Sequence, residues 1–140
     1  MACPNRGPVH GEFAFVTIGS ISVVDDDESV RESLPDLLRE LGYSVQVYAS
    51  AEEFLDSTHS LETQCLILDI FLHGMTGTEL VKVLASRQMA IPTIFVTAHV
   101  DEVLRSQLMA QGAVECLFKP FSDTALIMAL HAALRVGRLN

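Results

Sequence analysis

Four apolar runs in this 140-residue chain end in residues able to do chemistry. Ile21-Ser22-Val23-Val24 runs into Asp25-Asp26-Asp27-Glu28, and Cys65-Leu66-Ile67-Leu68 runs into Asp69. Ile94-Phe95-Val96 ends in Thr97, and Glu115-Cys116-Leu117-Phe118 ends in Lys119-Pro120. If these runs are neighbouring strands of a parallel sheet, their ends meet at one carboxyl edge, where open α/β sheets place ligands. Two carboxylates about 4 Å apart repel by roughly 4 kcal/mol at an effective dielectric near 20, so the acids require a proton or a cation. A hard, oxygen-seeking ion such as Mg2+ is the natural neutraliser. Acid pair, single acid, hydroxyl and ammonium at one edge make a site for handling a phosphoryl group.

The elements that must position these residues follow from periodicity. Strand-like runs fall near 20–25, 44–48, 65–69, 92–97 and 114–118 (β1 to β5), each followed by helical spacing, which predicts a (βα)5 parallel sheet covered on both faces. The first helix (α1) spans about Asp27 to Leu41, with Val30, Leu34, Leu37, Leu38 and Leu41 on one stripe and Gly42 ending it. Pro35 predicts a bend there, because an interior proline removes a backbone hydrogen bond. Ser50-Ala51-Glu52-Glu53 reads as a capping box opening a short α2. The third helix (α3) begins near Thr76 to Thr78 and runs to Arg87, α4 runs from about Asp101 to Gly112, and α5 is capped by Ser122. Residues 1–18, with their Pro and Gly, read as an N-terminal tail with a short extended piece at Phe13 to Ile18, leaving 19–138 as one domain.

Composition narrows the function further. With 49% apolar residues, the chain can build one substantial core. A net charge of −9 argues against a nucleic-acid or anionic-membrane surface, which needs clustered Lys and Arg. No run approaches the roughly 18 apolar residues of a membrane span, and no secretory signal is evident, so a cytoplasmic protein is expected. Cys3, Cys65 and Cys116 form no CxxC pair and read as reduced structural thiols, and the five histidines lack zinc-ligand spacing.

Taken together, Val24 through Arg31, Leu68-Asp69 with Met75-Thr76-Gly77, Val96-Thr97-Ala98-His99, Gly112-Ala113-Val114 and Lys119-Pro120-Phe121 resemble the receiver domain of two-component response regulators, in the FixJ/NodW branch. The resemblance covers about 21 to 136. It implies a doubly wound five-stranded parallel sheet, flavodoxin-like (CheY-like), with strand order 2-1-3-4-5. It also implies transfer of a phosphoryl group from a sensor histidine kinase onto Asp69. Asp26 would bind Mg2+ directly and Asp25 through a water, beside an Asp69 oxygen and the backbone carbonyl of Phe71. Lys119 would pair with the phosphoryl oxygens, Thr97 would donate its hydroxyl and move toward them, and the Lys119-Pro120 bond would be cis. The family switches at the α4-β5-α5 face, which leaves a homodimer through that face open. Such a protein catalyses only its own phosphorylation and dephosphorylation and is not otherwise an enzyme. FixJ-like proteins usually add a helix-turn-helix output domain, so the chain either acts alone or is the receiver part of a regulator.

Departures from the family pattern carry expectations of their own. Cys116 stands where relatives usually have an aromatic switch residue, so the signal from Thr97 must travel through the backbone near β4 and α4 or through another side chain. Leu72-His73-Gly74 replaces a proline-containing loop, which predicts a more mobile loop where His73 either responds to pH or has no role. Phe71 and His99 lie two places after Asp69 and Thr97, flanking the path of hydrolytic water, which predicts a long-lived phosphoryl group dominated by Phe71. A haloacid dehalogenase-type phosphohydrolase would need an aspartate where Phe71 stands. A phosphorylation-independent interaction module using the α4-β5-α5 face is the other rival; Leu104, Leu108 and Met109 could serve either that face or the core, and their helical spacing favours the core.

Overall fold

Parallel strands buried on both faces must be apolar at consecutive positions, and β3, Cys65–Asp69, is buried along its whole length. The computed structural model describes residues 19–139, with side chains through residue 135; the predicted tail 1–18 and Cys3 lie outside the described residues. Five strands, β1 (Ser20–Val24), β2 (Ser44–Tyr48), β3, β4 (Thr93–Thr97) and β5 (Glu115–Phe118), form one sheet in the order β2-β1-β3-β4-β5. All neighbouring pairs are parallel. The connecting helices are α1 (Glu28–Glu40), α2 (Ala51–Asp56), α3 (Gly77–Ser86) and α4 (Glu102–Ala110), with α5 (Asp123–Leu139) closing the chain.

Alternation along each strand splits the core in two. Ile21, Val23, Cys65, Ile67, Ile94 and Val96 pack with Leu34 and Leu38 of α1 and Leu126 and Leu130 of α5. Val24, Leu66, Leu68, Phe95 and Cys116 pack on the other side with Phe54 of α2, Leu80 and Leu84 of α3 and Leu108 of α4. Leu104 also packs against this second cluster, while Met109 is half-buried, so the apolar side of α4 faces mainly inward.

Caps set the helix limits. Asp27, Ser50, Thr76 and Asp101 each accept a backbone N–H at the start of α1 to α4, and Thr76 with Glu79 forms a full capping box. Ser122 does the same for α5, its hydroxyl oxygen accepting the Ala125 N–H at 3.0 Å. After α1, Gly42 adopts φ 101°, and the Gly42 and Tyr43 N–H groups donate to Arg39 and Leu38 carbonyls, closing the helix end. The same closure follows α3 at Gln88, φ 61°, where no glycine signals it. Pro35 is buried within α1, which continues past it from Glu28 to Glu40. A 3-10 turn at Ser60–Glu62, unmarked in the sequence pattern, follows the short α2.

Candidate functional site

Strand register delivers the predicted residues to one place. Val24 pairs with Leu68, so Asp25 and Asp69 emerge side by side; Asp69 pairs with Val96 and Thr97 with Phe118, which brings Thr97 and Lys119 to the same edge. Ligand oxygens of Asp25, Asp26 and Asp69 lie within 4.8 Å of one another. Asp25 is fully buried and Asp69 nearly so, whereas the Asp26 side chain keeps 28% of its surface. Carboxylates this close, two of them buried and all offering only hard oxygen ligands, fit a small divalent cation.

Lys119 supplies the counter-charge. Its ammonium donates to Asp25 Oδ2 at 2.8 Å and to Asp69 Oδ2 at 3.5 Å. Burial alone lowers the Lys119 pKa, but the hydrogen bond and charge of Asp25, with Asp69 behind them, outweigh it and raise the value. For Asp69, burial is the largest influence and raises its pKa, the Asp25 charge adds to this, and Lys119 opposes it. The Phe71 N–H donates to Asp69 Oδ1 at 3.1 Å, leaving the carboxylate oriented at the strand end. Asp25 Oδ1 accepts the Asp27 N–H at 2.9 Å, and Arg31 Nη1 donates to the Asp25 carbonyl at 2.9 Å. Arg31 is thus a supporting residue with no role foreseen for it; nothing in its spacing announces the carbonyl it reaches.

Thr97 is buried, and its hydroxyl oxygen accepts the His99 N–H at 3.0 Å, so its own proton is available for another acceptor. Its carbonyl accepts the Lys119 N–H at 2.8 Å, and the Lys119-Pro120 peptide is cis. Phe71, 48% exposed, meets the His99 ring edge-on with centroids 4.8 Å apart. Cys116 is buried on β5, with its pKa raised chiefly by burial. Beside it, Arg105 of α4 donates from Nε to the Cys116 carbonyl at 3.1 Å and from Nη2 to Glu115 at 2.6 Å.

The loop after Asp69 is more tied down than its lack of proline suggests. Gly77 donates to the Ile70 carbonyl at 2.9 Å, and a Cβ on Gly77 would collide with the Asp69 carbonyl oxygen. His73, although its side chain is 97% exposed, is not idle: its Nδ1 lies 2.7 Å from Asp26 Oδ2, which also accepts the His73 N–H at 3.2 Å. Glu52 accepts the Met75 N–H at 3.0 Å, a contact hidden in a residue that reads only as the start of α2.

A family model described as the response regulator receiver domain matches residues 21–131. The chain belongs to that family. Among curated relatives, this receiver domain is 40% identical over 114 residues to the transcriptional regulatory protein FixJ of Azorhizobium caulinodans, covering 81% of this chain and 54% of that protein. It is 42% identical over 118 residues to nodulation protein W of Bradyrhizobium diazoefficiens, covering 84% of this chain and 52% of that one. The chain therefore spans about half the length of the curated relatives it matches. Of solved structures, full-length FixJ from B. japonicum superposes with a TM-score of 0.79 at 36% identity, over 87% of this chain and 60% of that one. The response regulator StyR gives 0.77 at 40% identity, over 85% and 60%. The receiver fold, its strand order and the FixJ-like branch are those expected from the motifs. No helix among the described residues is long and apolar enough to cross a membrane.

Proposed function

We propose that this receiver domain accepts a phosphoryl group from a sensor histidine kinase onto Asp69. The observation that carries it is the convergence of Asp25, Asp26 and Asp69 within 4.8 Å, with the Lys119 ammonium reaching both Asp25 and Asp69. An Asp69 oxygen attacks phosphorus as the P–N bond of the donor phosphohistidine breaks, and the imidazole retains that bond's electron pair and takes up a proton. Asp26, Asp69 and the Phe71 carbonyl would hold Mg2+, with Asp25 acting through a water; when bound, the ion supplies positive charge against the phosphoryl oxygens. Lys119 turns from Asp25 toward the new anion as a mobile point charge.

Switching then begins at Thr97. To donate to the phosphoryl group, its hydroxyl must move, and it carries the His99 N–H that it accepts, shifting the start of the β4–α4 segment. With Cys116 in place of a ring, the Arg105 contacts to Glu115 and Cys116 are the link through which this shift reaches the α4-β5-α5 face. Exposed Val103 on α4 and Met128 on α5 are apolar groups that a homodimer through that face would cover. The domain catalyses only its own phosphorylation and dephosphorylation. The dehalogenase-type alternative has no acid two residues beyond Asp69, where Phe71 stands.

Incubation with acetyl phosphate and Mg2+, followed by intact mass, is expected to add one phosphoryl group to the native chain and none to Asp69→Asn. Binding of Mg2+ without any adduct or beryllofluoride response would instead favour a phosphorylation-independent interaction module.

A further inference from the structure

The loop from Phe71 to Thr76 holds both the carbonyl and the ring assigned to the site, yet Leu72-His73-Gly74 contains no proline to restrict it. Its base is closed by the Gly77 N–H to the Ile70 carbonyl. Beyond that base two carboxylates from other elements reach its backbone: Asp26 accepts the His73 N–H at 3.2 Å, and Glu52 of α2 accepts the Met75 N–H at 3.0 Å. Gly74 has φ +75°, and a Cβ built on it would stand 2.7 Å from Glu52 Oε2. The loop is thus moulded around the Glu52 carboxylate, with the glycine leaving the room that this carboxylate fills.

We propose that Glu52 is a positioning residue, the constant anchor that keeps the Phe71 carbonyl beside Asp69; this rests on the metal-assisted reading above. The two carboxylates are not equivalent. Asp26 belongs to the acid cluster, and the carboxylate that accepts from His73 is also a candidate cation ligand. A cation drawn to Asp26 competes for that carboxylate, whereas Glu52 stands outside the cluster and holds Met75 in either case. Groups that orient metal ligands from outside the coordination shell change metal affinity by about 10–100-fold when removed.

The test uses the whole chain as wild type, Glu52→Ala, Glu52→Gln and Glu52→Asp, with amide hydrogen exchange at Met75 and calorimetric titration of Mg2+. Glu52→Gln keeps an acceptor at the same reach, and Glu52→Asp keeps the helix-terminal charge but loses that reach. Expected are a loss of Met75 protection and a roughly tenfold weaker Mg2+ affinity in the Ala and Asp variants, with both restored in Gln. Exchange in β3 should stay unchanged in all four. Unaltered Met75 exchange in the Ala and Asp variants overturns the anchor, and unaltered Mg2+ affinity alongside lost protection overturns its positioning role. A wild type that binds no Mg2+ overturns the underlying reading of the site, while metal-free Met75 exchange still decides whether Glu52 holds the loop.

Discussion

Lys119 lies 2.8 Å from Asp25 and 94 residues away from it along the chain, and this ion pair is tighter than the 3.5 Å approach of Lys119 to Asp69. A fully buried carboxylate at Asp25 is thereby compensated before any phosphoryl group arrives. Asp69 is the less neutralised of the two acids, which leaves it in need of a further cation.

Asp69→Asn is expected to raise stability in the absence of Mg2+ by about 1 kcal/mol, the typical size of a single-site effect, because it removes a charge held against Asp25 without removing the Lys119–Asp25 pair. Mg2+ at about 100 times its dissociation constant should stabilise the wild type by about 2.7 kcal/mol, and the variant by less. Urea melts with and without Mg2+ read both effects; a variant less stable than the wild type without metal would contradict the repulsion.

Acidity gives a second check. Because burial and Asp25 raise the Asp69 pKa above its ordinary 3.8, the folded state binds this proton more tightly than the unfolded chain. Its contribution is therefore fully present below 3.8 and is lost as pH rises through the raised folded value. Metal-free urea midpoints of wild type and Asp69→Asn should diverge in the variant's favour as pH increases from about 3.5 to 7. Parallel curves would show that Asp69 is not perturbed.

Phe71 and His99 meet at the rim of the site with ring centroids 4.8 Å apart. A ring that screens the acyl phosphate from water predicts that Phe71→Asn speeds loss of the phosphoryl group roughly tenfold, about 1.4 kcal/mol of barrier. Decay followed by intact mass after removal of acetyl phosphate measures it, and an unchanged rate refutes the screen.

Arg105 joins α4 to β5 through Glu115 and the Cys116 carbonyl. Arg105→Ala should cost roughly 1–2 kcal/mol, since the bonds are charge-assisted but partly exposed. It should also confine beryllofluoride-induced NMR shifts to the site, sparing α4 and β5. Shifts in those elements equal to the wild type's would mean that the signal takes another path.

Much of this domain was written along the chain in local terms. Apolar runs ending in Asp25, Asp69, Thr97 and Lys119, separated by helical spacing, imply a parallel sheet, and a parallel sheet with consecutive registers brings strand ends together by geometry alone. The cap at Ser50 and the helix starts near Asp27, Thr76 and Asp101 were legible because capping is decided within a few residues. What the tertiary structure decided were the contacts between separate elements. Glu52 with Met75, His73 with Asp26, Arg31 with the Asp25 carbonyl and Arg105 with Glu115 leave no periodic trace, because a hydrogen bond between elements depends on how those elements pack. The left-handed Gln88 was equally hidden, its backbone held by the closing hydrogen bonds of α3 and not by its own side-chain preference.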